Sequence, residues 1–436
     1  MYRKKFLDFS SINVIDEPTY KIWWMNIGVK ETVENNANHF FPQFNKKKQS
    51  TVTATEQLCL FQSGKHDIVI LREPPSQEVL RCVEIAKGYV PMILYTTDKH
   101  DNYSESILRD VQLLSKVKEI ISNSNHAYIL VPFKVTKFDC EIGKLLGVEL
   151  FGSIPDPSMD INDKIISRQI CMFLDGKVPY GFDCYNIVEI QKAIDILSSG
   201  GTIVIKEFDG VSGQGFFIIH DSPSLKVFNA ILRRHSNEDR FRLLIEKWYD
   251  NCVDINYQIY IGKNGETIQL QPTKQIINKG VYEGTDFQIE KYLSDADMIE
   301  IEKFGTRLAF HLHQNGYYGN ISVDTIKTSN ELFHLVEINA RLSLSSYYWG
   351  AIQNYQDKKI LIQYYNIKTT NFSLNDFYNN FCGKADDKGV FILSSGIDTL
   401  NATCRLFLMF FSKEIDDLHF LKSNAEEFMT GGNCHG

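Results

Sequence analysis

The chain has 436 residues, 43% of them apolar and 23% charged, with a formal net charge of −8. That length suits roughly two to four packed units, and the acidic balance argues against a generic nucleic-acid binder, which must neutralise phosphates. Nine scattered cysteines without a Cys-x-x-Cys pair read as reduced intracellular thiols. The N-terminus turns acidic at Asp8 before any signal-like apolar core, and the apolar run Leu406 to Phe411 is too short to span a bilayer, so a cytoplasmic protein is expected.

Residues 20 to 160 alternate short apolar runs with amphipathic stretches: Asp67 to Leu71, Gln77 to Lys87, Val90 to Tyr95, Tyr128 to Val131, and Asp139 to Leu146 before Gly147. This is the rhythm of an α/β layer. Glu56, Arg72, Thr136 and Asp139 are polar residues that could line its cleft or simply face water. Asn162-Asp163-Lys164 opens a helix whose apolar stripe runs through Ile165, Ile166, Ile170, Phe173 and Leu174, with Lys164 in the first turn. Asn186 with Glu189 is a capping-box pair for a helix closed by Gly200-Gly201.

Thr202 to Lys206 is an apolar strand delivering a lysine. The loop Gly210-Val-Ser212-Gly213-Gln214-Gly215 follows, and a second strand returns through Ile219. Glycines let backbone N–H groups approach phosphate oxygens, and the lysine adds a point charge. The pattern is neither a Walker loop nor a Rossmann turn. Arg242 to Tyr249 is a strand ending in Glu246-Lys247-Trp248-Tyr249, an edge able to face an adenine ring. Asp254 to Ile261 and Thr267 to Gln271 form a hairpin around Gly262 to Gly265, leading to Lys274 and Gln275. Apolar positions 301, 304, 308 and 312 recur at helical spacing before Asn315-Gly316. His311 and His313, two apart on that helix, diverge and are read as structural.

The last hairpin carries the densest chemistry. Asn320 to Asp324 alternates, Thr328 to Glu331 is a turn, and Val336, Ile338 and Ala340 alternate with Glu337, Asn339 and Arg341. With Asn330 and Glu331 at the turn centre, Asp324 lies opposite Glu337. Facing like charges destabilise a hairpin, and a hard divalent cation held by Asp324, Glu337 and Asn339 would explain them. A solvated hairpin is the plainer alternative.

In this order, Lys164, Lys206, the Gly210–Gly215 loop, Glu246 to Tyr249, Asp324 and Glu337-Ile-Asn339-Ala-Arg341 resemble the ATP-grasp superfamily. The resemblance implies ATP phosphates on Lys164 and Lys206 under the loop residues Ser212, Gly213, Gln214 and Gly215. It implies adenine at Glu246, Lys247 and Tyr249, two Mg²⁺ on Asp324, Glu337 and Asn339, and the substrate carboxylate or acyl phosphate at Arg341. Relatives such as D-alanine ligase carry a ribose-binding Glu just after the adenine segment, where this chain has Asp254. Thr55 to Leu58, Ile129 to Thr136, Leu145 to Val148 and Phe151 to Ser153 look like the pre-ATP-grasp arrangement of pheganomycin-type peptide ligases. The butirosin glutamate carrier-protein ligase belongs to the same neighbourhood.

The implied fold is α/β (α+β). A pre-ATP-grasp α/β domain covers 1–157, a two-lobed ATP-grasp domain with antiparallel sheets covers 158–365, and a small C-terminal domain covers 366–436. The implied activity is activation of an amino-acid or peptide carboxylate as an acyl phosphate and transfer to an amine, in natural-product biosynthesis. The alternatives are transfer to the phosphopantetheine thiol of an acyl carrier protein, and a non-catalytic ATP-binding regulator. Neither nucleic acid nor membrane is expected as a partner, and a homodimer is expected from relatives.

Overall fold

The structure is a computed structural model describing residues 19–27, 40–41, 54–98, 100, 102–154, 160–208, 215–235, 242–278, 280–368, 372–382, 387–398 and 401–431. Among these, no helix is long and apolar enough to cross a membrane. The first unit is a parallel sheet of β1 (Thr19–Trp24), β2 (Ile68–Leu71), β3 (Met92–Tyr95), β4 (Ala127–Pro132) and β5 (Glu149–Leu150), in the order β3-β2-β1-β4-β5. Its helices follow the sequence expectation closely. The Gln77–Lys87 helix starts at Ser76, whose side chain accepts from Val79 N, and stops at Gly88 in the left-handed region. The Lys137–Leu146 helix begins with a Thr136/Asp139 capping box.

A small antiparallel lobe follows: β6 (Gly181–Cys184), β7 (Ile203–Glu207), β8 (Phe216–Ile219) and β9 (Leu243–Lys247), in the order β6-β9-β7-β8. The helices Ile187–Ser198 and Ser222–Arg234 give it a core of its own through Ile190, Ile194, Phe228 and Leu232, packed on Ile203, Ile205 and Ile245.

The large sheet contains β10 (Val253–Ile261), β11 (Thr267–Gln269), β12 (Thr273–Asn278), β13 (Val281–Asp286), β14 (Gly319–Lys327), β15 (Glu337–Asn339), β16 (Lys359–Lys368), β17 (Lys388–Asp398) and β18 (Thr403–Ser412). The order is β15-β14-β10-β12-β13-β16-β18-β17, with β11 on β10. Strand alternation divides its two faces. Ile255, Tyr257, Ile259, Ile321, Val323 and Ile338 pack against Ile301, Phe304, Leu308 and Leu312 of the Asp295–Gln314 helix. Asn256, Gln258, Ser322 and Asp324 therefore share the opposite face. The expected boundary at residue 366 falls inside β16, and β17 and β18 continue the same sheet, burying Val390, Phe391, Leu408 and Phe410 in one core with Val79 and Val83 of the first unit.

The first unit meets the large sheet at two glycines. A Cβ on Gly319 (φ +127°) would stand 2.9 Å from the Cα of Gly152 (φ +142°). Beside them Ser153 N donates to Tyr318 O at 2.9 Å, and Tyr318 N donates to Ser153 Oγ at 3.1 Å. Gly319 opens the strand that carries Asp324, so this close approach fixes the strand's entry. Gly319→Ala should destabilise the protein by about 1–3 kcal/mol, seen as a lowered thermal midpoint; an unchanged midpoint would show that the junction yields without cost.

Candidate functional site

The site assembles where the helix Lys164–Phe173 starts. Asp163 caps it, accepting from Ile165 N at 2.8 Å and Ile166 N at 3.2 Å, and pairs with Arg242. This one turn holds two other elements. Lys164 N donates to Phe208 O at 3.1 Å, just past β7, and Asn162 Oδ1 accepts from Ala340 N at 2.8 Å, just past β15. Lys164 Nζ then lies 3.4 Å from Glu337 Oε1. Lys164, Glu337 and the exit of the lysine strand are thus joined by short local contacts.

Asp324 faces Glu337 across β14 and β15, with Ser322 facing Asn339. The expected pairing is present, but it is reached differently. Near the tip Lys327 bridges Leu332, and Thr328 N donates to Glu331 O, which centres the turn one residue earlier than expected. Residues 333–336 absorb a two-residue slip. His334 turns away to Lys177, accepting from Lys177 N on Nδ1 while its own N donates to Lys177 O, both at 2.8 Å. As a result β15 is only three residues long.

Three amides converge on Asp324. Asn256 Nδ2 (2.8 Å) and Gln275 Nε2 (2.9 Å) donate to Oδ1, and Asn339 Nδ2 (3.2 Å) donates to Oδ2. Burial and the facing Glu337 carboxylate still push the Asp324 carboxyl up to about 7, while Asn256, Arg341 and Gln275 pull it down. Arg341 Nη2 donates to Asn339 Oδ1 at 2.6 Å and Nη1 to Leu342 O at 3.1 Å; its Cζ sits 4.9 Å from the ring centroid of Phe133, which follows β4. Burial lowers the Arg341 pKa, and Glu337 and Asp324 hold it up. The arginine therefore stands between the metal-type residues and the end of the parallel sheet.

In the small lobe, Lys206 Nζ donates to Glu246 Oε2 at 2.7 Å, and Arg168 Nη1 donates to Glu246 Oε1 at 2.9 Å. Arg168 also donates to Pro179 O and Gly181 O. Glu246, expected as an adenine neighbour, thus spends its buried carboxylate on two cations. The backbone N–H groups of Lys247 and Trp248 donate to Tyr180 O and Thr202 O. Tyr249 packs its ring 4.9 Å from Phe333 and 5.2 Å from Lys247 Nζ. Asp254 is half-buried on β10 opposite Ile326, its carboxyl raised by burial and lowered by Lys274. Ser212, Gly213 and Gln214 lie outside the described residues; Gly215 has φ +75° and its carbonyl accepts from Glu207 N at 2.7 Å.

Among the described residues no cluster of three or more His, Cys, Asp or Glu is placed to hold a metal. The donor set at Asp324 is smaller, two carboxylates and an amide, and it fits a hard cation that keeps water or phosphate oxygens in its shell. Burial and the facing Glu337 raise the Asp324 carboxyl, and a cation held between the two acids would offset both. His311 lies tilted on Phe173, and His313 Nε2 is hydrogen-bonded to Lys263 O. A cavity of about 380 Å³ lined by Lys21, Lys65, Asp67 and Lys87 shares no residue with this site.

Asn162, Arg168 and Asn256 were not anticipated. The signal for two of them was available. Arg168 is one helical turn beyond Lys164, and Asn256 falls in the polar alternation Asp254, Asn256, Gln258.

Residues 163–352 match the family model described as carbamoyl-phosphate synthase L chain, ATP binding domain. The chain is 28% identical over 334 residues to the [Butirosin acyl-carrier protein]--L-glutamate ligase of Niallia circulans, covering 75% of this chain and 73% of that protein. It is 23% identical over 256 residues to the mitochondrial propionyl-CoA carboxylase alpha chain of Caenorhabditis briggsae, spanning 55% of this chain and about a third (32%) of that one. In fold it is similar to biotin carboxylase from Campylobacter jejuni, with TM-score 0.56, 12% identity, and coverage of 87% of this chain and 93% of that one. It is likewise similar to N5-carboxyaminoimidazole synthetase from Staphylococcus aureus, with TM-score 0.54, 11% identity, and coverage of 86% and 94%. Residues 163–352 are thus similar to the ATP-binding domain of ATP-grasp ligases, carboxylate-amine ligases that form ADP and phosphate.

A pH dependence follows from Asp324. Its folded pKa lies above the ordinary 3.8, so its contribution to stability is complete at acid pH and is lost as pH rises through about 7. Asp324→Asn cannot ionise. In EDTA its thermal midpoint should gain on the wild type between pH 4 and pH 8; parallel curves would mean that the two carboxylates do not repel.

Proposed function

We propose that the chain activates an amino-acid or peptide carboxylate with ATP and transfers the acyl group to an amine. The observation that carries this reading is the single constellation of Lys164, Glu337, Asp324, Asn339 and Arg341, with Lys206 one strand away from the turn that binds them. Lys164 and Lys206 hold phosphate oxygens, Lys206 exchanging Glu246 for the nucleotide while Arg168 remains on that carboxylate. Arg341 orients the substrate carboxylate as a bidentate partner. A carboxylate oxygen attacks the γ-phosphorus and ADP leaves; the acceptor then attacks the carbonyl carbon, its proton is lost and phosphate leaves. Arg341 faces the oxyanion of that second step. Asp324, Glu337 and Asn339 would hold Mg²⁺, taken as two ions, and the metal would supply charge compensation for the phosphates. Adenine and ribose are assigned to the Glu246–Tyr249 edge and Asp254, and further phosphate contacts to Ser212, Gly213, Gln214 and Gly215.

A carrier-protein thiol is the second acceptor. The Niallia circulans relative, an acyl-carrier-protein–L-glutamate ligase, favours it. Incubation with ATP, Mg²⁺, an amino-acid panel and hydroxylamine should give a hydroxamate. Replacing hydroxylamine with amines or with pantetheine then distinguishes amide from thioester. A stable phosphorylated product would mark a kinase, and no product a regulator.

Glu337→Gln should abolish turnover with the thermal midpoint kept; retained turnover would remove Glu337 from the metal set. Lys206→Ala should raise the KM for ATP about 10- to 100-fold, the size of a charged hydrogen bond, and an unchanged KM would free Lys206 of its phosphate role.

A further inference from the structure

Phe40 and Phe41 belong in sequence to the first unit, between β1 and the helix Leu58–Gln62, yet their rings are buried in the small lobe. They are only 4% and 7% exposed. Phe40 stacks 4.7 Å from the His235 ring and lies 5.7 Å from Phe228. Phe41 stacks 6.2 Å from Phe217 on β8. Phe41 N also donates to Glu207 Oε1 at 2.7 Å, and Glu207 is a buried carboxylate at the end of β7.

Glu207 is where three constraints meet. Lys206 before it points to the nucleotide residues, and Phe208 after it accepts from Lys164 N. Its own N–H donates to Gly215 O, closing the base of the glycine loop. A buried carboxylate needs its donors, so the Phe41 N–H bears directly on the strand end that presents Lys206. The small lobe's core is incomplete without two rings supplied from elsewhere in the chain.

We propose that Phe40 and Phe41 are positioning residues, an intramolecular clip by which the first unit holds the nucleotide-binding lobe, so that nucleotide affinity depends on the clip and on the chain lengths flanking it. The proposal rests on the ATP-dependent reading only for its nucleotide readout. Twelve residues, 28–39, connect the clip to the first unit on one side, and twelve, 42–53, on the other. If the rings hold two units together, doubling each flank with Gly/Ser weakens docking about threefold per flank from loop closure.

The experiment compares full-length wild type, Phe40→Ala/Phe41→Ala, and a variant with twelve Gly/Ser residues inserted in each flank. It measures the Kd for a non-hydrolysable ATP analogue and amide exchange in residues 203–207 and 216–219. The double alanine variant should bind at least tenfold more weakly. The spacer variant, with both rings intact, should bind roughly three- to tenfold more weakly and exchange faster in those strands. Wild-type affinity and exchange in the spacer variant would overturn the clip whether or not the alanine variant folds. A wild type that binds no nucleotide would overturn the ATP reading instead, and the exchange comparison would still decide the clip.

Discussion

Two carboxylates facing each other on neighbouring strands are the constraint around which this structure is arranged. Asp324 and Glu337 repel, and a hairpin with nothing to offset them would favour another register. The offsets are all specific. Lys164 reaches Glu337, Arg341 lies beside both acids through Asn339, and three side-chain amides converge on Asp324. They hold the Asp324 carboxyl down against burial and the facing Glu337, which together still raise it above its ordinary value.

Charge pairing recurs in the small lobe, where Glu246 receives both Lys206 and Arg168, and Arg168 Nε also lies 3.8 Å from Asp183 Oδ1. The turn Asn162-Asp163-Lys164 ties the two ends together by bonding to Phe208 on one side and Ala340 on the other. Small-lobe position is therefore coupled to the acid pair by single hydrogen bonds, which a modest change in either element would break.

Much of the site was legible because strand alternation and local caps are short-range properties. Asp163 and Asn186 cap the helices expected of them, and Asp324 faces Glu337 as alternation required. The hairpin tip was placed one residue off, because Thr328 side-chain and backbone bonds chose the turn and His334 drew residues 333–336 toward Lys177. No sequence period reports a bulge stabilised by a partner 157 residues away. The adenine edge differs for a related reason: Glu246 reads in sequence as part of an edge facing adenine and is buried between Arg168 and Lys206 in space.

By itself the sequence determined the elements, the polar face of each strand and the order of the nucleotide motifs, since these depend on side-chain period, glycine placement and capping over a few residues. Only the tertiary structure decided that Lys164 meets Glu337, that Asn256 and Gln275 support Asp324, that the strands after residue 366 extend the large sheet, and that Phe40 and Phe41 complete a core far from their neighbours in the chain. Those contacts join segments separated by tens to hundreds of residues. Burial and charge compensation select such pairings once the chain is folded, and no local pattern carries them.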